Sequence, residues 1–199
     1  MPPFPPATTH LLYLHGFRSS PQSMKALKMA GRVARDHPDV TWWCPQLPPS
    51  PRAAMDQVLA GVADWPRNRM AVVGSSLGGF YARWLHGQLG CRVALINPAI
   101  HPARDLAAYI GEQTTWQNPE ERFFFEPRFV DELLELEAGV RLPLRDAWAL
   151  IAQGDEVLDW REMTVGCAGA HMTVLASGDH AISDFDDHMA ALLNFLNLA

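Results

Sequence analysis

Apolar residues along this chain fall into two alternating kinds of run. The first kind is short and nearly continuous: "HLLYLHG" from His10, "VTWWCPQL" from Val40, "MAVVGS" from Met70, "RVALINP" from Arg92, "AWALIAQGD" from Ala147 and "HMTVLASGDH" from His171. Runs of that length stopped by glycine or proline read as strands, and the most apolar of them as strands buried on both faces, the habit of parallel sheets. The second kind is periodic. Met24, Leu27, Ala30 and Val33 recur at spacings of three in "SMKALKMAGRVARDH", and Ile182, Phe185, Met189, Leu192, Leu193 and Leu196 share one helical face near the end. Ser50 before Pro51 opens a further helix through "AAMDQVLAGVADW", since a serine hydroxyl caps free N–H groups and proline fits the first turn. "FYARWLHGQLG" and "WREMTVGCAG" add two more helices.

Strand and helix in alternation predict an α/β protein: a mostly parallel sheet of about six strands with helices on both faces. No linker or internal repeat divides the chain, so residues 1–199 read as one domain. One segment breaks the rhythm. Residues 99–146 have no clear strand and contain "NPEERFFFEPRFVDELLELE", acidic, aromatic and part helical. Insertions of that length are usually functional or disordered. The aromatic density favours a cap over a pocket, with an extra packing helix and loop as the plainer alternative.

The third strand runs directly into Gly74-Ser75-Ser76-Leu77-Gly78 and then into a helix. A G-x-S-x-G pattern is weak alone, but a strand-to-helix junction is where a nucleophile elbow has to sit. A sharp turn there pushes the Ser76 hydroxyl clear of the sheet, and glycines on either side let backbone pass close by. The helix that follows offers free N–H groups and the positive end of its dipole to a developing anion. Two later strand ends carry the remaining groups in the order Ser, Asp, His. Asp155 follows the fifth strand in "QGDEVLDW" and His180 follows the sixth in "SGDHAI". His180 would accept the Ser76 proton, and Asp155 would orient the imidazole. Glu156 and Asp159 compete as the acid, but an aspartate at position 159 suits a helix cap, and Asp179 should point away from its neighbour His180.

The first strand ends in His15-Gly16-Phe17. Backbone N–H groups of Phe17 and Leu77 are the candidate oxyanion hole, with His15 as a structural hydrogen-bonder. Phe17, Trp116 and Phe124 are the candidate pocket side chains. The other histidines are scattered, and "HAISDFDDH" lacks a metal-ligand spacing, so a solvated helix face rather than a metal site is expected there.

Composition narrows the function classes without changing this picture. A net charge of −6 with scattered basic residues gives no reason to expect a nucleic-acid partner. The longest apolar runs fall far short of the roughly 20 residues of a membrane span, and the start "MPPFPPATTHLL" is not a secretion signal. Cys44, Cys91 and Cys167 cannot all pair and read as buried thiols in a reducing compartment, hence the cytoplasm. Oligomeric state leaves no mark in the sequence.

With "LLYLHGFRSSPQSMKA", "VVGSSLGGFYA", "INPAIHP", "QGDEVLDW" and "SGDHAISDF" in place, nearly the whole chain resembles the α/β-hydrolases, and more narrowly the small bacterial YqiA-like esterases. The resemblance implies the α/β-hydrolase fold and cofactor-free hydrolysis of acyl esters or thioesters through an acyl-serine. It does not carry over to the substrate contacts of the insertion. An acyl-thioesterase or acyltransferase is the nearest alternative. A non-catalytic binder on the same fold is the alternative from another class, and the intact Ser, Asp and His argue against it.

Overall fold

The computed structural model describes residues 6–198. In chain order its elements are β1 (His10–Leu14), α1 (Met24–Asp36), β2 (Thr41–Trp43), α2 (Pro51–Gly61), β3 (Met70–Ser75), α3 (Leu77–Leu89) and β4 (Arg92–Ile96). Then follow α4 (Pro102–Leu106), β5 (Gly111–Thr114), β6 (Arg122–Phe125), α5 (Pro127–Gly139), β7 (Ala147–Ala152), α6 (Trp160–Gly166), β8 (His171–Leu175) and α7 (Phe185–Phe195). Six strands pair in parallel in the order β2-β1-β3-β4-β7-β8, while β5 and β6 form a separate antiparallel hairpin. The parallel sheet is the one expected from the alternation of runs, and the architecture is the α/β-hydrolase fold that the resemblance implied.

Side chains on a strand alternate between faces, and the central strands are apolar on both faces apart from end residues such as His10, Ser75 and Arg92, so each fills two cores. Leu12, Leu14, Val72, Val93, Leu95, Ala149 and Ile151 meet α2, α3, α5 and α6 on one face. Leu11, Tyr13, Ala71, Val73, Ala94, Ile96 and Leu150 meet α1 and α7 on the other. Helix α7 delivers the expected face through Phe185, Met189, Leu192 and Leu193, and Ile182 and Leu196, which lie just outside the helix, are buried with them. Each such side chain withdrawn from water is worth roughly 2 kcal/mol before the entropy of ordering it.

Two expectations need correcting. On α1 the buried positions are Ala26, Met29 and Val33, while Met24 and Leu27 are exposed. Three residues advance a helix by about 300°, so a strict spacing of three drifts around the surface, whereas steps of three and four hold one face. The 99–146 insertion does contain strands: Gly111 pairs with Phe125 and Thr114 with Arg122. Polar "GEQT" gives no periodic apolar signal, and its partner "RFFF" is apolar without alternating, so neither announces a strand. Helix α5 then packs against α2 and α4.

Parallel register aligns the carboxyl ends of the strands. Leu14 lies level with Gly74, Ser75 with Ile96, Ile96 with Leu150, and Ala152 with Leu175. Everything immediately beyond those residues is therefore gathered at one rim. Because β2 lies on one side of β1 and β3 on the other, the crossovers diverge at β1/β3, where such sheets open a crevice.

Ser50 caps α2, its Oγ accepting from Ala53 N–H at 3.1 Å while donating to Glu132 Oε2 of α5 at 2.6 Å. Ser50→Ala should therefore lower stability by about 1–2 kcal/mol, read as a lower urea midpoint at unchanged m-value.

Candidate active site

Ser76 follows β3 with φ 57° and ψ −122°, a backbone conformation that a residue with a side chain reaches only at a cost of about 1–3 kcal/mol. Its surroundings hold it there. The Ser76 N–H donates to Ile96 O at 3.0 Å, and Ser76 O accepts from Gly79 N–H at 2.9 Å and Ala99 N–H at 3.0 Å. A Cβ on Gly74 would enter the Gly78 carbonyl, and one on Gly78 would enter the Leu14 carbonyl. Strand, turn and helix approach this closely only because both positions lack side chains.

The three groups named from the sequence meet at the rim. His180 Nδ1 lies 2.7 Å from Asp155 Oδ2, and His180 Nε2 lies 3.0 Å from Ser76 Oγ. A carboxylate only accepts, so Nδ1 carries the ring proton and Nε2 is left to accept from the serine hydroxyl. The Asp155 side chain is fully buried, whereas that of His180 is 22% exposed. Asp155 Oδ1 accepts from the N–H groups of Val157 and Leu158, each at 2.8 Å. Both carboxylate oxygens are thereby engaged, which fixes the orientation of the group.

Sequence reasoning gave no role to the residues that hold these loops together. Asn97, fully buried at the end of β4, donates through Nδ2 to Asp179 O at 3.1 Å and His180 O at 3.2 Å. Its Oδ1 accepts from Ala152 N–H at 2.8 Å, so one side chain ties β7 to the histidine loop. The only available signal was its place, an amide directly after a central strand. Glu156 Oε2 accepts from the His180 N–H at 3.0 Å, so this rival acid grips the histidine's backbone. Lys25 Nζ donates to Ala181 O at 2.5 Å. Burial pulls the Lys25 ammonium down to about 8 against the opposing pull of Asp179 and Asp155.

The remaining candidates sort plainly. Asp159 caps α6, accepting from Arg161 N–H at 2.9 Å. Asp179 faces away from the ring and accepts from Ser183 N–H and Oγ, and the hydroxyl bond above all holds its carboxyl below the usual range. Cys44, Cys91 and Cys167 are unpaired, and burial pushes the thiols of Cys44 and Cys91 up to about 12 and that of Cys167 to about 11. No group of His, Cys, Asp or Glu among the described residues has the arrangement of a metal site.

Beside Ser76 lies a cavity of about 340 Å³ lined by Gly16, Phe17, Leu47, Leu77, Tyr81 and Phe123, with Glu121, Thr115 and Arg18 also on its wall. A Cβ on Gly16 would stand 3.2 Å from Ser76 Cβ and 3.5 Å from Oγ, so the loop after β1 passes directly over the hydroxyl. The N–H groups of Phe17 and Leu77 have no protein acceptor among the described residues. Phe17 packs edge-on against Phe123 and Phe125. Phe124 and Trp116 do not line the cavity. Alternation along β6 turns Phe124 outward to 59% exposure, and Trp116, 65% exposed, lies under the Arg18 guanidinium at 4.1 Å. His15 accepts from Leu47 N–H through Nε2 at 3.1 Å and donates through Nδ1 to Gly16 O at 3.0 Å, which spans the two loops that frame the cavity.

A family model described as "Uncharacterised protein family (UPF0227)" matches residues 10–197. The chain belongs to UPF0227, the YqiA-like family. Solved structures place this UPF0227 chain among the α/β-hydrolases in fold. One, from work titled "LipS and LipT, two metagenome-derived lipolytic enzymes", is 19% identical with a TM-score of 0.68 over 97% of this chain and 95% of its own. The esterase domain of a Rhodothermus marinus protein is 20% identical with a TM-score of 0.64 over 99% of this chain and 88% of its own. Mouse alpha/beta hydrolase domain-containing protein 10 is 16% identical with a TM-score of 0.63 over 95% and 91%. Among the described residues of this UPF0227 member no helix is long and apolar enough to cross a membrane.

Two outcomes follow for the framework. Asn97→Ala leaves one buried donor and two carbonyls without their partner, and should cost about 3 kcal/mol or more in urea unfolding. Burial lowers the His15 imidazole below its ordinary 6.5, outweighing the opposing bond to Gly16 O. The unfolded chain then binds the His15 proton first as the medium is acidified. The His15 contribution should thus be fully present above pH 6.5 and fade as pH falls toward the depressed folded value. His15→Gln should flatten that part of the stability–pH curve in thermal unfolding.

Proposed function

We propose that this protein is a serine hydrolase that cleaves carboxylic esters of small molecules through an acyl-serine intermediate. The observation that carries the proposal is the continuous hydrogen-bonded line from Asp155 Oδ2 through His180 to Ser76 Oγ, at 2.7 and 3.0 Å, on three separate strand ends. The esterase and lipolytic names of structural neighbours agree with it.

In the proposed cycle Ser76 Oγ attacks the ester carbonyl carbon as its proton passes to His180 Nε2. The carbonyl oxygen, now an anion, takes hydrogen bonds from the N–H groups of Phe17 and Leu77. One such donor is typically worth about 3 kcal/mol of barrier. Asp155 stabilises the imidazolium electrostatically and keeps the ring in the tautomer that exposes Nε2 to the serine. The tetrahedral adduct collapses, the alcohol leaves with the His180 proton, and the acyl group remains on Ser76. Water then attacks with His180 as base, the acid departs, and the serine hydroxyl is restored.

The cavity lined by Phe17, Leu77, Tyr81 and Phe123 would take the acyl chain, and about 340 Å³ suits short to medium chains. The insertion at 99–146 contributes Phe123 from β6 and Thr115 and Glu121 from the β5–β6 turn to that wall. It is thus a partial cap within one domain. The unpaired thiols fit a reducing compartment, and we assign the reaction to the cytoplasm.

A fluorophosphonate probe should label the folded protein at Ser76, and Ser76→Ala should reduce turnover of an activated short-chain ester by roughly 10⁴-fold or more with thermal stability retained. Undiminished turnover in that variant would remove the proposal. Parallel rates on an oxygen ester and its matched thioester would fix the leaving group.

A further inference from the structure

A second cavity, of about 470 Å³, lies on another side of α3 from the one beside Ser76: Leu77 and Tyr81 line the first, Arg83 the second. Arg83 is only 4% exposed. Among the described residues its guanidinium makes one hydrogen bond, a long one from Nη1 to Ala99 O at 3.5 Å, and its buried Nε has no partner. Buried charges are ordinarily paired, because desolvating a lone ion costs several kcal/mol. Arg83 makes no ion pair with any described carboxylate.

The neighbouring acids make no hydrogen bond to Arg83, although the Glu137 charge is near enough to favour its charged form. Glu137 Oε1 accepts from Ala103 N–H at 3.0 Å, and its Oε2 stands 3.8 Å from His101 Nδ1. Glu162 is gripped by both Nη atoms of Arg104, at 2.8 and 2.7 Å. At the rim Arg161 stacks on Trp160 and pairs with Asp159 at 3.5 Å, so its charge is already engaged. Ile100, Val140, Leu142 and Val165 supply an apolar wall, and Leu142 and Val165 are 50% and 72% exposed. Burial also pulls the Arg83 guanidinium below its usual range, in the direction expected where desolvation outweighs nearby negative charge.

We propose that this cavity is a binding site for a small carboxylate with an apolar body, the carboxylate meeting Arg83 and the hydrocarbon lying along Ile100, Val140, Leu142 and Val165. A guanidinium presents a planar fork that matches a carboxylate, and the pair gains strength where water is excluded. An apolar wall with one uncommitted cation selects this class over a polyanion, which would face Glu137 and Glu162. The site is independent of the reaction proposed for Ser76.

Hexanoate and hexylammonium, identical in apolar body and opposite in charge, test the assignment by titration calorimetry on the full chain. The wild type should bind hexanoate and not hexylammonium. Arg83→Met should keep or raise the melting temperature of the ligand-free protein, since it removes an uncompensated buried charge at similar volume, and should weaken hexanoate at least about tenfold. Val165→Asp changes an exposed wall residue and should also weaken hexanoate, by repulsion at the rim, so it decides the matter if the Arg83 variant does not fold. Hexanoate bound equally by these variants and the wild type, as binding beside Ser76 would give, overturns the proposal. So does equal binding of hexylammonium, or no hexanoate binding at all.

Discussion

A serine held with φ near +57° is the constraint around which the rim of this sheet is arranged. No local preference of the chain favours that conformation, so its cost of about 1–3 kcal/mol has to be met by contacts made elsewhere. The β4 carboxyl end supplies two of them, with Ile96 O receiving the Ser76 N–H and Ala99 N–H reaching the Ser76 carbonyl. Glycines at 74 and 78 remove the side chains that would otherwise hold β1, β3 and α3 apart. The result is a hydroxyl that stands away from the sheet while its own backbone is fully engaged.

The same stretch beyond β4 organises the other two loops. Asn97 reaches Ala152 N–H at the end of β7 and the carbonyls of Asp179 and His180 beyond β8. Glu156 adds a grip on the His180 N–H, and Lys25 reaches in from α1 to Ala181 O. An imidazole that accepts a hydrogen bond at one nitrogen and donates at the other is fixed when both its ring and its backbone are held. Here the ring is oriented by Asp155 and the backbone by residues from β4, α1 and the acid loop. Buried polar groups stabilise a unique arrangement when every one is satisfied, and the network around Asn97 is of that kind. The Nε of Arg83 is the contrasting case, a buried donor with no partner among the described residues.

Residues 99–146 reach the cavity without entering the six-stranded sheet. Their antiparallel hairpin lies beside the loop after β1, where Phe123 and Phe125 pack edge-on against Phe17. Arg18 then holds the far side through Nε to Thr114 O at 2.7 Å and through its stack on Trp116. The cavity wall is therefore shared between a loop of the central sheet and the hairpin. His15 braces the other wall by accepting from Leu47 N–H.

The strand-to-helix alternation, the positions of the six sheet strands, the α7 face and the elbow were all legible in the chain, as were the three groups that meet at the rim. Each depends on local pattern: period, stop residues, and the kind of side chain that follows a strand. What was not legible depended on contacts between distant residues. Ala26, Met29 and Val33 rather than Met24 and Leu27 face the core, a phase set by how α1 packs on the sheet. "GEQT" and "RFFF" become strands only by pairing with each other, and that pairing decides that Phe123 faces the cavity and Phe124 the solvent. The strand order, and the bridge that Asn97 throws across 55 and 83 positions of chain, exist only once the crossovers have closed. By itself the sequence determined the six sheet strands, the helices between them and the residues that end those strands, because backbone sterics and hydrophobic periodicity act over a few residues. Only the tertiary structure decided which side chains face one another, because a hydrogen bond or a cavity wall is set by separation in space.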